Sequence, residues 1–265
     1  MGDSDGDVFG FDCPAVWVVL TAGGQAAGQN AANKVPQVVP TTAKQPVLVE
    51  LYTSEGCSSC PPADRALALL EKEQPVNSAD TVTLEFHVDY WDGPGWKDPF
   101  SSALYSQRQE EYSSALKVGS NYTPQMVVDG RSEFVGSDLR KATQTIQTSV
   151  SDAKAKIDTT VNSGSIKVSL TDLPLHEAST VFVVAAEDNL TSNVTGGENG
   201  GAKLSHTSVV RELHAIGTIA KDVPKFDIET ALPSQPAWKK ENLRYIVFAQ
   251  ENASRKVIAV SRVGK

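Results

Sequence analysis

Cysteine is scarce: three in 265 residues, at 13, 57 and 60, too few for a fold held together by disulfides. No apolar run approaches the roughly 20 residues that span a bilayer as a helix, so no membrane span is expected. Basic charge is also short. Lys and Arg number 24 against 32 Asp and Glu, a net charge of −8, and no Lys/Arg cluster stands out. A phosphate backbone needs a positive surface, which excludes nucleic acid as the expected partner. No internal repeat is visible. What remains, 40% hydrophobic and 21% charged residues, is the composition of a globular chain long enough to bury two cores.

The N-terminus has two readings. Ala15–Ala22 is a short apolar run followed by small residues, the pattern of a secretory leader and its cleavage region. Yet Met1–Gly10 carries three Asp and no Lys or Arg, which suits a cytoplasmic tail instead. On the first reading the mature protein is periplasmic or secreted, and Cys13 leaves with the leader. Residues 28–45, rich in Ala, Asn, Pro, Thr and Gln without a period, read as a linker.

Regular structure is expected from there. Val47–Tyr52 alternates as a strand, Ala63–Lys72 reads as a helix, and Thr81–Val88 is a second strand. Ser102–Leu116 is helical, and Gln125–Val128 with Glu133–Val135 makes a hairpin across Asp129-Gly130. Leu139, Ala142, Ile146, Val150, Ala153 and Ile157 lie in steps of three and four, which predicts one helix over 138–157 capped by Ser137. After about residue 160 short strands follow one another between Gly, Pro and Asn. The expected architecture is an α/β domain (43–158) followed by a small all-β antiparallel sandwich (159–265), with 1–42 as leader and linker.

The chemistry concentrates in Glu50-Leu-Tyr-Thr-Ser-Glu-Gly-Cys57-Ser-Ser-Cys60-Pro-Pro. Zinc sites also use a Cys-x-x-Cys, but normally with a second Cys or His pair, and His87, His176, His206 and His214 form none. Placed between a strand and a helix, the pair suits redox work, because the positive end of a helix favours thiolate. Cys57 is the expected exposed nucleophile and Cys60 the resolving thiol. Pro61 and Pro62 move the helix start toward Cys60. Pro124, heading a strand, fits the cis-proline that faces such a pair, with Thr123 beside it for substrate. Parallel strands 47–52 and 81–88 end on one edge, so the loop from His87 to Phe100 starts beside the cysteines. Tyr90, Trp91, Trp96 and Phe100 are candidates for an apolar wall, Trp91 and Trp96 for substrate contact, and His87 and Asp89 for proton relay. The competing reading makes these residues an ordinary packed loop. Gly196–Gly201 reads as a flexible connection, and His206 and Arg211 as structural.

Four strings, Val49-Glu-Leu-Tyr-Thr-Ser-Glu-Gly-Cys-Ser-Ser-Cys-Pro-Pro-Ala-Asp64, His87-Val-Asp-Tyr-Trp-Asp92, Gly95-Trp-Lys-Asp-Pro-Phe100 and Tyr122-Thr-Pro-Gln-Met-Val-Val-Asp-Gly130, closely resemble a bacterial family of exported, thioredoxin-like proteins of unknown function, domain of unknown function 1223. The resemblance extends through Gly197-Glu-Asn199 and His206–Arg211. It implies a thioredoxin-like domain with a β domain, outside the cytoplasm, and brings no substrate. The expected function is thiol–disulfide exchange with protein or small-molecule thiols and disulfides, without a cofactor and with no metal assigned. Two alternatives stay open: a soft ion such as Cu(I) held by Cys57, Cys60 and His87, or a partner-binding module whose disulfide is passive.

Overall fold

A computed structural model describes residues 43–264; the N-terminal apolar run, Cys13 and the start of the expected linker lie outside the described residues. In chain order the elements are β1 (Gln45–Thr53), α1 (Pro61–Glu73), β2 (Ala79–His87), α2 (Ala103–Leu116), β3 (Gln125–Val128), β4 (Ser132–Val135), α3 (Leu139–Ser149), β5 (Lys156–Asn162), β6 (Ser165–Thr171), β7 (Ser179–Glu187), β8 (Leu190–Asn193), β9 (Lys203–His206), β10 (Val209–Ile219), β11 (Phe226–Ala231), β12 (Leu243–Glu251) and β13 (Val257–Arg262).

Local sequence explains the helix ends. α1 opens on Pro61 and Pro62, whose missing N–H groups cost nothing in a first turn, and Ala63, Leu67 and Leu70 face inward. α2 is capped by Ser102, whose side chain accepts from the Leu104 amide. α3 is capped by Asp138 rather than Ser137 and stops at Ser149, well short of residue 157. Beyond it the chain is claimed by tertiary partners: Lys154 is drawn to buried Asp129 at 2.7 Å, and the Ala155 amide donates to Ile258 O at 2.8 Å. The apolar period thus runs on into a segment that pairs as β5.

The expected thioredoxin-like fold with a separate small sandwich is overturned by the sheet. Eight strands form one mixed sheet in the order β13-β12-β7-β10-β2-β1-β3-β4. β1 and β2 are parallel across α1, in the register Thr53 opposite His87, as the sequence implies. β10 then joins β2, also parallel, at Val209 opposite Glu85, and β7, β12 and β13 continue antiparallel. Alternation announces a strand and its faces but not the neighbour on its edge, which is why the joining of the two halves through β2 escaped sequence reasoning. Three further strands, β11-β6-β5, and the pair β8-β9 complete the β structure.

The sheet curls until the Val257 amide of β13 donates to Asp129 O beyond β3 at 3.0 Å. Its inner face, including Leu48, Tyr52, Leu84, Phe86, Val184 and Phe248, packs with Tyr105 and Tyr112 of α2. Inside lies an ion pair: Arg108 Nε donates to Glu50 Oε1 at 2.8 Å, and its guanidinium sits 5.2–5.7 Å from the rings of Phe86, Tyr112, Phe182 and Phe248. The outer face is covered by α1 and α3 at one end and by β11-β6-β5 at the other. On β2, Val82, Leu84 and Phe86 belong to the inner core, while Thr81, Thr83, Glu85 and His87 are also fully buried. A polar seam therefore runs beneath the outer cover, and the candidate site sits at its end.

Candidate functional site

β1 ends at Thr53, and the chain turns through Ser54–Cys60 into α1. Cys57 and Cys60 are joined as a disulfide. Cys60 is the residue at which α1 begins, so the helix start lies at the second cysteine, as the two prolines imply. The first cysteine is not the exposed thiol expected: Cys57 is 1% and Cys60 0% exposed, while Ser58 and Ser59 between them are open. The turn is clamped from the second half of the chain. Asn199 Nδ2 donates to Glu55 O and to Cys57 O, both at 2.9 Å, and Glu198 Oε2 accepts from Ser58 N and Ser58 Oγ. The glycine run is thus a fitted clamp rather than a free connection. At Gly196 a Cβ would lie 1.9 Å from Gly95 O, so only glycine lets the two loops meet.

Beneath the turn a ring of hydrogen bonds closes on itself. Glu55 N donates to Asp98 Oδ2 (2.8 Å), and His87 Nδ1 meets the same oxygen (2.7 Å). His87 Nε2 meets Glu85 Oε1 (3.1 Å), His206 Nδ1 meets that oxygen too (2.7 Å), and His206 Nε2 returns to Glu55 Oε1 (3.1 Å). Trp96 Nε1 donates to the other Glu55 oxygen, and Thr207 N to the other Glu85 oxygen. Phe100 packs edge-on against both imidazoles at 5.3 and 5.6 Å. All five members of the ring are buried.

The charges follow. Burial opposes a proton on His206, but the Glu85 carboxylate, with hydrogen bonds to Glu55 and Glu85, holds its pKa up to about 11. His87 is pushed up to about 9, burial being outweighed by Asp98 and Glu85. For Glu85, burial is overcome by the two imidazoles, which bring it down to about 2. Asp64, on α1 and bonded to Thr53 Oγ1 at 2.7 Å, is pushed up to about 7 by burial and by Glu85. His87 Nε2, His206 Nδ1 and a Glu85 oxygen lie within 4.8 Å of one another, a donor set able to hold a metal ion.

The remaining predicted residues divide. Trp91 Nε1 donates to Thr123 Oγ1 at 2.7 Å, and Ser59 Oγ lies 3.5 Å from Thr123 O, so Trp91 and Thr123 border the cysteine turn. The Thr123–Pro124 bond is cis, as expected. Trp96 points inward to Glu55, and Asp89 is bonded to Ser106 of α2 through both its amide and its carboxylate. The donor cluster around His87 contains neither cysteine, which leaves no support for the Cys57, Cys60 and His87 copper set. Sequence reasoning missed Glu55, Glu85, Asp98, Glu198 and Asn199 and took His206 for bland structure. The one signal was Glu85 and His87 at strand spacing on one face of β2.

A family model described as protein of unknown function, DUF1223, matches residues 48–250. No curated protein matches the chain. Among solved structures, protein AGR_C_4864 from Agrobacterium tumefaciens is similar at a TM-score of 0.67 and 26% identity, over 82% of this chain and 92% of that one. A domain of the outer membrane lipoprotein Omp28 from Porphyromonas gingivalis is similar only at a TM-score of 0.26 and 18% identity, over 42% and 87%. The first likeness runs across both halves of the chain; the second is too slight to argue from. Among the described residues no helix is long and apolar enough to cross a membrane.

Proposed function

The chain belongs to the DUF1223 family of proteins of unknown function, and from that premise we propose that it exchanges thiols and disulfides through Cys57 and Cys60. The observation that carries the reading is the disulfide itself, set where β1 turns into α1 and flanked by exposed Ser58 and Ser59. In the reduced protein the Cys57 thiolate attacks one sulfur of a substrate disulfide, and a substrate thiolate leaves. Cys60 thiolate then attacks Cys57 Sγ of the mixed disulfide, forming Cys57–Cys60 and releasing the second substrate thiolate. The substrate gains the two electrons that the protein loses; the reverse sequence oxidises a dithiol. Trp91 and Thr123 form the lip that meets the substrate, and Pro124 fixes the entry of that backbone into β3. Asp64, one helical turn beyond Cys60 and titrating near 7, serves as the proton partner in place of His87 and Asp89. The disulfide belongs to an oxidising compartment outside the cytoplasm.

The burial of both sulfurs favours a second reading, a passive disulfide. Equilibration of the native protein with glutathione and dithiothreitol separates the two. Exchange predicts reversible reduction without unfolding, abolished in Cys57→Ser, and a trapped mixed disulfide in Cys60→Ser. A bond reduced only on global unfolding would leave the passive reading standing.

A further inference from the structure

We propose that Glu85, His87 and His206 form a binding site for one divalent cation of borderline softness, with Zn²⁺ as the probe. The site is separate from the cysteines and does not depend on thiol exchange. His87 Nε2 and His206 Nδ1 converge on one oxygen, Glu85 Oε1, from 3.1 and 2.7 Å. Two imidazole nitrogens and a carboxylate oxygen are a donor set that suits Zn²⁺ and its neighbours.

The second observation concerns the nitrogens that face away from this point. His87 Nδ1 is held by Asp98 at 2.7 Å, and His206 Nε2 by Glu55 at 3.1 Å. A carboxylate on the far nitrogen fixes the tautomer and rotation of a metal-binding imidazole and raises its basicity. Both carboxylates are themselves fixed: Asp98 accepts from the Glu55 and Phe100 amides, and Glu55 from Trp96 Nε1. Phe100 against both rings walls the point from water.

The ligands come from β2 and from the end of β9, so an ion there joins the two halves of the chain directly behind Glu55, two residues before Cys57. All three ligand residues are buried, so an ion there is held beneath the turn and away from the surface.

The test uses the full chain with its disulfide intact, stripped by chelator, then dialysed against Zn²⁺ at pH 8. We expect one Zn²⁺ per chain by metal analysis, with nitrogen and oxygen scatterers only in the X-ray absorption spectrum. His206→Gln should bind at least 100-fold more weakly by calorimetry, while the Cys57→Ser/Cys60→Ser variant keeps full binding. If His206→Gln does not fold, the absorption spectrum of the parent protein decides alone. Sulfur scatterers, less than stoichiometric zinc, or unchanged binding in His206→Gln would overturn the proposal and leave the ring as an ion-pair cluster. None of these outcomes bears on whether Cys57 and Cys60 exchange with thiols.

Discussion

Replacing Asn199 with Ala removes two of the four side-chain hydrogen bonds that hold the cysteine turn to the 196–200 loop. One amide nitrogen makes both, to Glu55 O and Cys57 O, each at 2.9 Å. A net contribution of about 1 kcal/mol per bond makes the loss about 2 kcal/mol in total. With Cys57 1% exposed, an incoming thiolate cannot reach its sulfur until the turn and this loop separate. If the lost 2 kcal/mol falls on that opening step, the open population rises roughly 30-fold, since each 1.4 kcal/mol is a factor of about ten. The assay is the rate of Cys57–Cys60 reduction by dithiothreitol under native conditions, beside urea unfolding of the same samples. We expect reduction to accelerate by about 30-fold while global stability falls by no more than about 2 kcal/mol. A folded Asn199→Ala protein whose disulfide is reduced at the parental rate would refute the reasoning. The 196–200 loop would then not be the cover, and attack would arrive between Ser58 and Ser59.

Other substitutions test the fold and its charges. Arg108→Met strands the Glu50 carboxylate in the inner core and should cost about 3–5 kcal/mol in denaturant unfolding, while adding Glu50→Gln should recover most of it; additive losses would contradict the pairing. Asp64 keeps its proton to about pH 7 in the fold but releases it near 3.9 when unfolded, so the stability it contributes is present below about pH 4 and lost as pH rises through 7. Asp64→Asn should therefore gain on the parent between pH 4 and 7, by up to about 1.4 kcal/mol per pH unit, and no further above; a flat difference would mean that Asp64 is ionised in the fold. Tyr52→Phe removes a buried hydroxyl that has no hydrogen-bond partner among the described residues and should leave thermal stability equal or up to about 1 kcal/mol higher; a clear loss would show that the hydroxyl has a partner.

Much of the fold was legible because its first elements carry their own period. β1, α1, β2 and β3 form within a residue or two of where alternation and the Leu67–Leu70 stripe place them. The failures have a common physical root. β5 was absorbed into the helical period ahead of it, and β8 and β9 are four-residue strands too short to register one. The cysteine turn was legible as a site because Cys57, Cys60 and the prolines are contiguous. Its supports were not: Glu55 and His206 stand 151 positions apart and meet only because β10 lies beside β2. His87 was singled out as a proton relay beside the thiols, but its hydrogen-bond partners are carboxylates beneath the turn.

The clamp on the cysteine turn also sets an order of events. Asn199 stands 142 residues after Cys57, so synthesis exposes the cysteines well before their cover exists. At about 5–20 residues per second that interval is on the order of ten seconds. During it both thiols face whatever oxidant or partner the nascent chain meets. Once residues 196–206 dock, the bond is reached only when this clamp opens. The oxidation state in which the fold closes is thus set by what the thiols meet during synthesis, and each later change waits on the opening of the chain's own second half.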